Sequence, residues 1–131
     1  MDRLTLPKNA RIHLRSELQE LFASRESFVS YPFRVIYLEQ QRVATSLKMM
    51  VSVPKKKIRH AVDRNRVKRL TREAFRTHCL ELKEVLPDDK ALLIGFIYIG
   101  NEVKSYSTTT RGVTEALRKI TSKYTTSDES N

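Results

Sequence analysis

Ten cations crowd into positions 55 to 76: Lys55, Lys56, Lys57, Arg59, Arg64, Arg66, Lys68, Arg69, Arg72 and Arg76. Only Asp63 and Glu73 oppose them, so this sixth of the chain holds +8 of a total net charge of +10. A surface charged for solubility spreads its charge, whereas a surface that meets a polyanion concentrates it. Lysine dominates the first part of the segment and arginine the rest. An ammonium acts as a point charge, while a guanidinium bridges two phosphates or stacks on a base. That mixture suits folded RNA and duplex DNA alike.

Hydrolysis by the protein itself would need other residues, namely a metal-binding carboxylate cluster or a general acid–base pair. Asp88 and Asp89 follow Pro87 in a turn, and Glu81 and Glu84 sit near a helix end, where carboxylates are ordinarily solvated. His13, His60 and His78 share no ligand spacing with one another or with Cys79. His78 and Cys79 are neighbours on a helix and point about 100° apart. Cys79, the one cysteine, reads as a packing residue, forms no disulfide and points to an intracellular protein. The sequence therefore shows binding chemistry, with no catalytic residue and no metal ligand.

The elements that must position the basic segment follow from periodicity. Val43 to Val53 alternates apolar and polar residues, the pattern of a strand with one buried face, and Pro54 stops it. The lysine run then forms a loop leading into a long helix from Asp63, its N-cap, to Val85, ended by Pro87. Val67, Leu70, Ala74, Phe75 and Leu82 fall on one side of that helix and must face a core. Asn65, Lys68, Arg69, Arg72 and Arg76 fall on the other side, and like charges at 68/72 and 72/76 each cost an isolated helix about 0.2–0.5 kcal/mol. The loop delivers its lysines to the helix N-terminus, where backbone N–H groups already favour phosphate.

The remaining elements supply the scaffold. Residues 1 to 13 form an irregular arm. A short helix opens at Ser16, with Gln19 completing a capping box, and carries Leu18, Leu21 and Phe22 on one face. Phe33 to Leu38 reads as a strand, joined to the next by Glu39 to Arg42. Ala91 to Ile99 is apolar almost throughout, as in a central strand covered on both faces. From about Ser107 a last helix presents Val113, Ala116, Leu117, Ile120 and Tyr124, and residues 125 to 131 form a frayed tail. Phe22, Phe28, Tyr31, Phe33 and Tyr37 cluster in the first third, and spacing leaves them open as core or as stacking platform. This order predicts a single α+β domain over residues 1–131, a two-layer α-β sandwich with its helices against one sheet.

Composition bounds the function classes. At 131 residues and 15.3 kDa the chain is one domain, and 40% hydrophobic content suffices for one core. Three glycines and four prolines exclude a Gly-rich nucleotide loop and low complexity. The N-terminus has no signal-peptide pattern, and the longest apolar run is about half a bilayer span, so a cytoplasmic protein without membrane contact is expected.

From Ala61 to Arg76 the sequence resembles the protein subunit of bacterial ribonuclease P, whose signature is the Arg-Asn-Arg-x-Lys-Arg-x-x-Arg core seen at Arg64, Asn65, Arg66, Lys68, Arg69 and Arg72. The strand ending Val51-Ser52-Val53, the lysine run and the opening Leu18, Leu21, Phe22 helix fit as well, and the resemblance spans roughly residues 8 to 121. It implies one mixed sheet of about four strands with three helices, including a left-handed β-α-β crossover that pattern reading could not find, since right-handed crossovers are the default. It implies a protein cofactor of a catalytic RNA, assisting removal of the 5′ leader from precursor tRNA, with Mg²⁺ serving the RNA. By position, Arg64, Asn65, Arg66, Lys68, Arg69, Arg72 and Arg76, with Lys55, Lys56, Lys57 and Arg59, would contact RNA. Phe22, Phe33, Val35 and Tyr37 would line the leader-binding cleft between the first helix and the sheet. Leu18 stands where relatives often carry a second aromatic, and residues 54–60 lack the glycine common in that loop.

Three other readings share the basic helix. A standalone binder of structured RNA would need no catalytic partner. A DNA recognition helix would need a short preceding helix, whereas a strand and a loop come first. A membrane-surface helix would need the apolar face that the core requires.

Overall fold

A computed structural model of the chain describes residues 11–12, 15–41 and 45–129, with side chains described as far as residue 125. The elements in order are α1 (Arg15–Phe22), β1 (Ser27–Ser30), β2 (Phe33–Gln41), β3 (Leu47–Ser52), α2 (Ala61–His78), α3 (Leu80–Val85), β4 (Lys90–Tyr98) and α4 (Tyr106–Glu129). The four strands make one mixed sheet in the order β1-β2-β4-β3. β2 runs antiparallel to β1 and β4, and β3 runs parallel to β4. Parallel neighbours need a long connection, and α2 with α3 provides it.

The sheet face that carries Phe33, Val35 and Tyr37 packs with Met49, Val51, Ile94, Phe96 and Tyr98 against Val67, Ala74 and Phe75 of α2 and Val113, Ala116, Leu117 and Ile120 of α4. This is the main core, and it forms the expected α-β sandwich. On the opposite face a smaller cluster joins Ile12 and Leu21 to Ile36 and Leu93. Here α1 approaches the sheet closely because position 95 is glycine. A Cβ there would stand 2.9 Å from Ile36 Cγ1 and 3.1 Å from Leu21 Cδ2.

Several expectations are corrected in detail. β1 was not foreseen, because Ser-Phe-Val-Ser is short and half polar. β2 extends to Gln41 and takes up Glu39, Gln40 and Gln41, which pair with Leu92, Ala91 and Lys90. The single long helix is two, interrupted at Cys79 (φ −90°, ψ −2°). Before the break, Thr71 Oγ1 donates to Val67 O (2.7 Å) and Thr77 Oγ1 to Glu73 O (2.8 Å), bonds that compete with the helical ladder. The restart at α3 lets Leu82 and Leu86 reach the core. His60, not Asp63, is the N-cap of α2, and no side chain caps it. Asp63 lies in the first turn, where the helix dipole favours a carboxylate. Ser16 lies inside α1, which begins at Arg15. α4 continues to Glu129, through most of the segment expected to fray. Val43, Ala44, residues 1–10 and 13 of the arm, and residues 130–131 lie outside the described residues.

Candidate nucleic-acid interface

The amphipathic character of α2 decides how it presents its charge. Val67, Thr71, Ala74 and Phe75 are buried against the sheet and α4. Asn65, Arg66 and Arg69 are exposed, and Lys68, Arg72 and Arg76 are half-buried. Among the described residues four ion pairs form: Lys48–Glu17, Lys90–Glu39, Lys104–Glu102 and Arg118–Glu115. None involves a cation of the 55–76 segment, and neither Asp63 nor Glu73 closes one. Ten positive charges therefore lie in this segment with no carboxylate at ion-pair distance among the described residues. Arg72 loses proton affinity through burial and then through the positive charge of Arg11, though a guanidinium stays charged regardless.

The basic loop is a built turn. Pro54 O accepts from Lys57 N (3.0 Å) and Ile58 N (3.1 Å), and buried Ile58 anchors the loop in the main core. Arg64 Nη1 donates to Ile58 O (3.0 Å) and Arg59 O (2.8 Å). Arg64, grouped by sequence with the RNA contacts, thus fastens the loop to the first turn of α2. Lys55, Lys56 and Arg59 point outward. Lys57 Nζ donates to Asn101 Oδ1 at 3.4 Å. Between this loop and residues 101–103 lies an open groove of about 570 Å³ lined by Lys55, Lys56, Lys57 and Arg59.

The cleft residues require a correction. Phe33 and Val35 are 0% exposed and Tyr37 8%, all on the α2–α4 side of the sheet. They cannot line a cleft beneath α1, which covers the other face. β2 is apolar on both faces, so alternation in the sequence could not say which face met α1. The register places three rows on the α1 side: Leu38, Leu93 and Lys48; Ile36, Gly95 and Met50; and Arg34, Ile97 and Ser52. α1 closes over the first two rows. Leu21 sits on Gly95, Lys48 Nζ donates to Glu17 Oε2 at 2.9 Å, and Gln40 Nε2 donates to Glu20 Oε1 at 2.6 Å. The third row stays partly open, with Arg34 exposed and Ile97 and Ser52 half-buried. It borders the lysine loop through Val53 and Pro54. Of the four residues expected in the cleft, only Phe22, 52% exposed at the end of α1, offers its ring to solvent.

Two cations were missed. Arg34 sits in an apolar strand, and its place in the open row follows only from register. Arg11 lies far from the basic segment in sequence, yet it pairs with Met49 on β3 and its charge reaches Arg72. No pattern in the arm announced that placement. Among the described residues no three His, Cys, Asp or Glu side chains come together as a metal site.

Comparison with known proteins accords with this geometry. The family model described as Ribonuclease P matches residues 6–124. The "Ribonuclease P protein component" of Porphyromonas gingivalis is 41% identical over 118 residues, covering 88% of this chain and 85% of the relative. That of Listeria monocytogenes is 35% identical over 89 residues, covering 68% and 71%. The solved RNase P protein of Staphylococcus aureus superposes with a TM-score of 0.64 at 22% identity, over 85% of this chain and 94% of that one, which shows the shared fold. A sheet of this topology, a basic helix that leaves its charge unpaired and a match along nearly the whole chain lead to one assignment: the chain belongs to the ribonuclease P protein family.

Proposed function

We propose that the chain is the RNA-binding subunit of a ribonuclease P holoenzyme, assisting a catalytic RNA in endonucleolytic removal of the 5′ leader from precursor tRNA. The observation that carries this reading is the set of ten cations at 55–76 with no ion-pair partner among the described residues. α2 and the lysine loop bind the catalytic RNA through phosphates. The open row of Arg34, Ile97 and Ser52 and the exposed ring of Phe22 receive the single-stranded leader, whose bases stack on that ring and whose phosphates meet a guanidinium. Catalysis rests with the RNA, and Mg²⁺ belongs to the RNA's chemistry. The reaction places the protein in the cytoplasm, and no described helix is long and apolar enough to cross a membrane.

The test is cleavage of precursor tRNA at low Mg²⁺ with the matching RNA, with and without the protein, beside a protein-only control. Cleavage at the mature 5′ end only when both are present supports the reading. Cleavage by the protein alone would place a catalytic site among its carboxylates, and tight binding without stimulation would favour a standalone RNA binder. With six or more phosphate contacts, affinity falls roughly 10³-fold or more between about 50 and 200 mM salt.

A further inference from the structure

We propose that Arg64 is a positioning residue for RNA binding: its guanidinium sets the 54–60 loop so that Lys55, Lys56 and Arg59 meet phosphate together with α2. The proposal rests on the RNA-binding reading and gives Arg64 a role other than the direct contact that its place in the motif implies. The first bond of α2 runs from Arg64 N to His60 O at 3.0 Å. The side chain of the same residue reaches back past that bond. Its Nη1 carries two hydrogens and donates to Ile58 O at 3.0 Å and to Arg59 O at 2.8 Å, one for each carbonyl. Both carbonyls precede His60, the N-cap of α2. One arginine thus joins the loop to the helix twice, through its backbone and through its guanidinium.

The loop depends on such anchors. It holds no glycine, and no described residue has a left-handed φ. Its path is fixed by the bonds from Lys57 N and Ile58 N to Pro54 O, by Ile58 in the core, and by Arg64. The opposite bank of the groove is built as well. Tyr98 Oη donates to Glu102 O at 2.6 Å and accepts from Lys104 N at 3.0 Å, and Lys57 Nζ crosses to Asn101 Oδ1 at 3.4 Å. Lys55, Lys56 and Arg59 are exposed and close no ion pair among the described residues, so the backbone of the loop is what places them. A loop free to move must be ordered when RNA binds, and that ordering offsets part of what its cations contribute. Arg64 removes that cost in advance. An ordinary phosphate contact loses its own charge when it is neutralised, whereas Arg64 takes the alignment of three further cations with it.

The experiment uses the full chain and its ribonuclease P RNA. Arg64→Gln and Arg64→Lys are compared with Arg66→Gln, which removes one charge from an exposed position of α2. Each is made alone and together with the pair Lys55→Gln and Lys56→Gln. Affinity, its salt dependence, amide exchange at Lys57 and Ile58 and the thermal midpoint of the free protein are read for each. Arg66→Gln is expected to lower the salt slope by about one, and Arg64→Gln by about two or more with faster exchange at both amides. The lysine pair costs at least about fivefold in affinity in the wild type and beside Arg66→Gln, but less than about twofold beside Arg64→Gln, because the loop acts as a unit with its anchor. Arg64→Lys keeps the charge, yet its Nζ ends one atom short of Nη1, so it recovers little of the loss. It carries the same cycle if Arg64→Gln does not fold. A slope change of about one with additive losses would overturn the positioning role alone. So would full recovery in Arg64→Lys, unchanged exchange at both amides, or a lowered midpoint that accounts for the whole loss of affinity. A wild-type chain that does not bind the RNA would overturn the role together with the reading it rests on.

Discussion

Two parts of the helix layer are positively charged, and they use their charge in opposite ways. Around α4, Lys119 Nζ stands 4.6 Å from the ring centroid of Phe28, Lys104 Nζ 5.6 Å from that of Tyr31 and Lys123 Nζ 5.9 Å from that of Tyr37. Arg118 Nη1 pairs with Glu115 Oε1 at 2.8 Å, and Lys104 Nζ with Glu102 Oε2 at 3.4 Å. These cations are already engaged, and Lys119 and Lys123 tie α4 to the β1–β2 hairpin. On α2 the like-charged neighbours Lys68, Arg72 and Arg76 follow one another at helical spacing, and no ion pair forms there among the described residues. Charge density alone would mark both regions as binding faces. What each cation already touches separates α4, whose lysines stand over rings of the hairpin, from α2, whose cations close no ion pair among the described residues.

The largest effect that could break this contrast comes from matched charge removal. Arg66→Ala combined with Arg69→Ala should weaken binding of ribonuclease P RNA by about 10²-fold or more, since charge-assisted bonds contribute about 1.5–3 kcal/mol each. The slope of affinity against salt should flatten by about two. Lys119→Ala with Lys123→Ala removes the same charge and should change affinity less than about threefold. Equal losses in a filter-binding titration would mean that net charge governs binding and that the contrast is empty. A second substitution probes the structural side. A Cβ on Gly112 of α4 would stand 2.7 Å from Tyr31 O and 2.8 Å from Pro32 Cδ. Gly112→Ala should therefore cost about 1–3 kcal/mol in urea unfolding while leaving the salt slope for RNA unchanged. A changed slope would show that the α4 edge also touches RNA.

The same contrast explains what was legible in the sequence. The basic face of α2 announced itself, because charge and apolar spacing on one helix need no tertiary information. β4 and the buried face of α4 were legible for a similar reason. β2 was legible as a strand but not in its orientation, since Phe33, Val35 and Tyr37 on one face and Ile36 and Leu38 on the other are all apolar. The cleft residues were therefore placed on the wrong side of the sheet, and Arg34 went unnoticed. Glu39, Gln40 and Gln41 read as a connection until nine residues of pairing with β4 overrode their polarity. The break at Cys79 has neither glycine nor proline to signal it. The cation–ring contacts of α4, Lys119 with Phe28 and Lys123 with Tyr37, join residues 86 or more positions apart, and only the folded chain brings them together.

Smaller effects sharpen the α4 side. Lys119→Ala alone should cost about 0.5–1 kcal/mol of stability, the ordinary scale for an exposed cation over a ring, with RNA affinity unchanged. A loss of affinity without loss of stability would reassign Lys119 to the binding face.

The smallest effect separates the two regions by pH. Tyr124 Oη donates to Glu39 Oε1 at 2.7 Å, pinning α4 to β2. Burial, and then that carboxylate, raise its phenol well above the ordinary value of about 10. Tyr98, which donates to Glu102 O at 2.6 Å at the approach to α4, is raised as well, chiefly by burial. A phenol whose folded pKa lies above its unfolded one contributes stability in full below about pH 10 and loses it as pH rises through the folded value. Raising pH from about 9 to 11 should therefore loosen the α4 side. Tyr124→Phe removes one of the ionisations, so its urea midpoint should fall less steeply above about pH 10, at the cost of roughly 0.5 kcal/mol near neutrality. Parallel midpoint curves for wild type and variant would mean that the tyrosine does not pin α4, and that its attachment rests on the apolar core and the lysine–ring contacts alone.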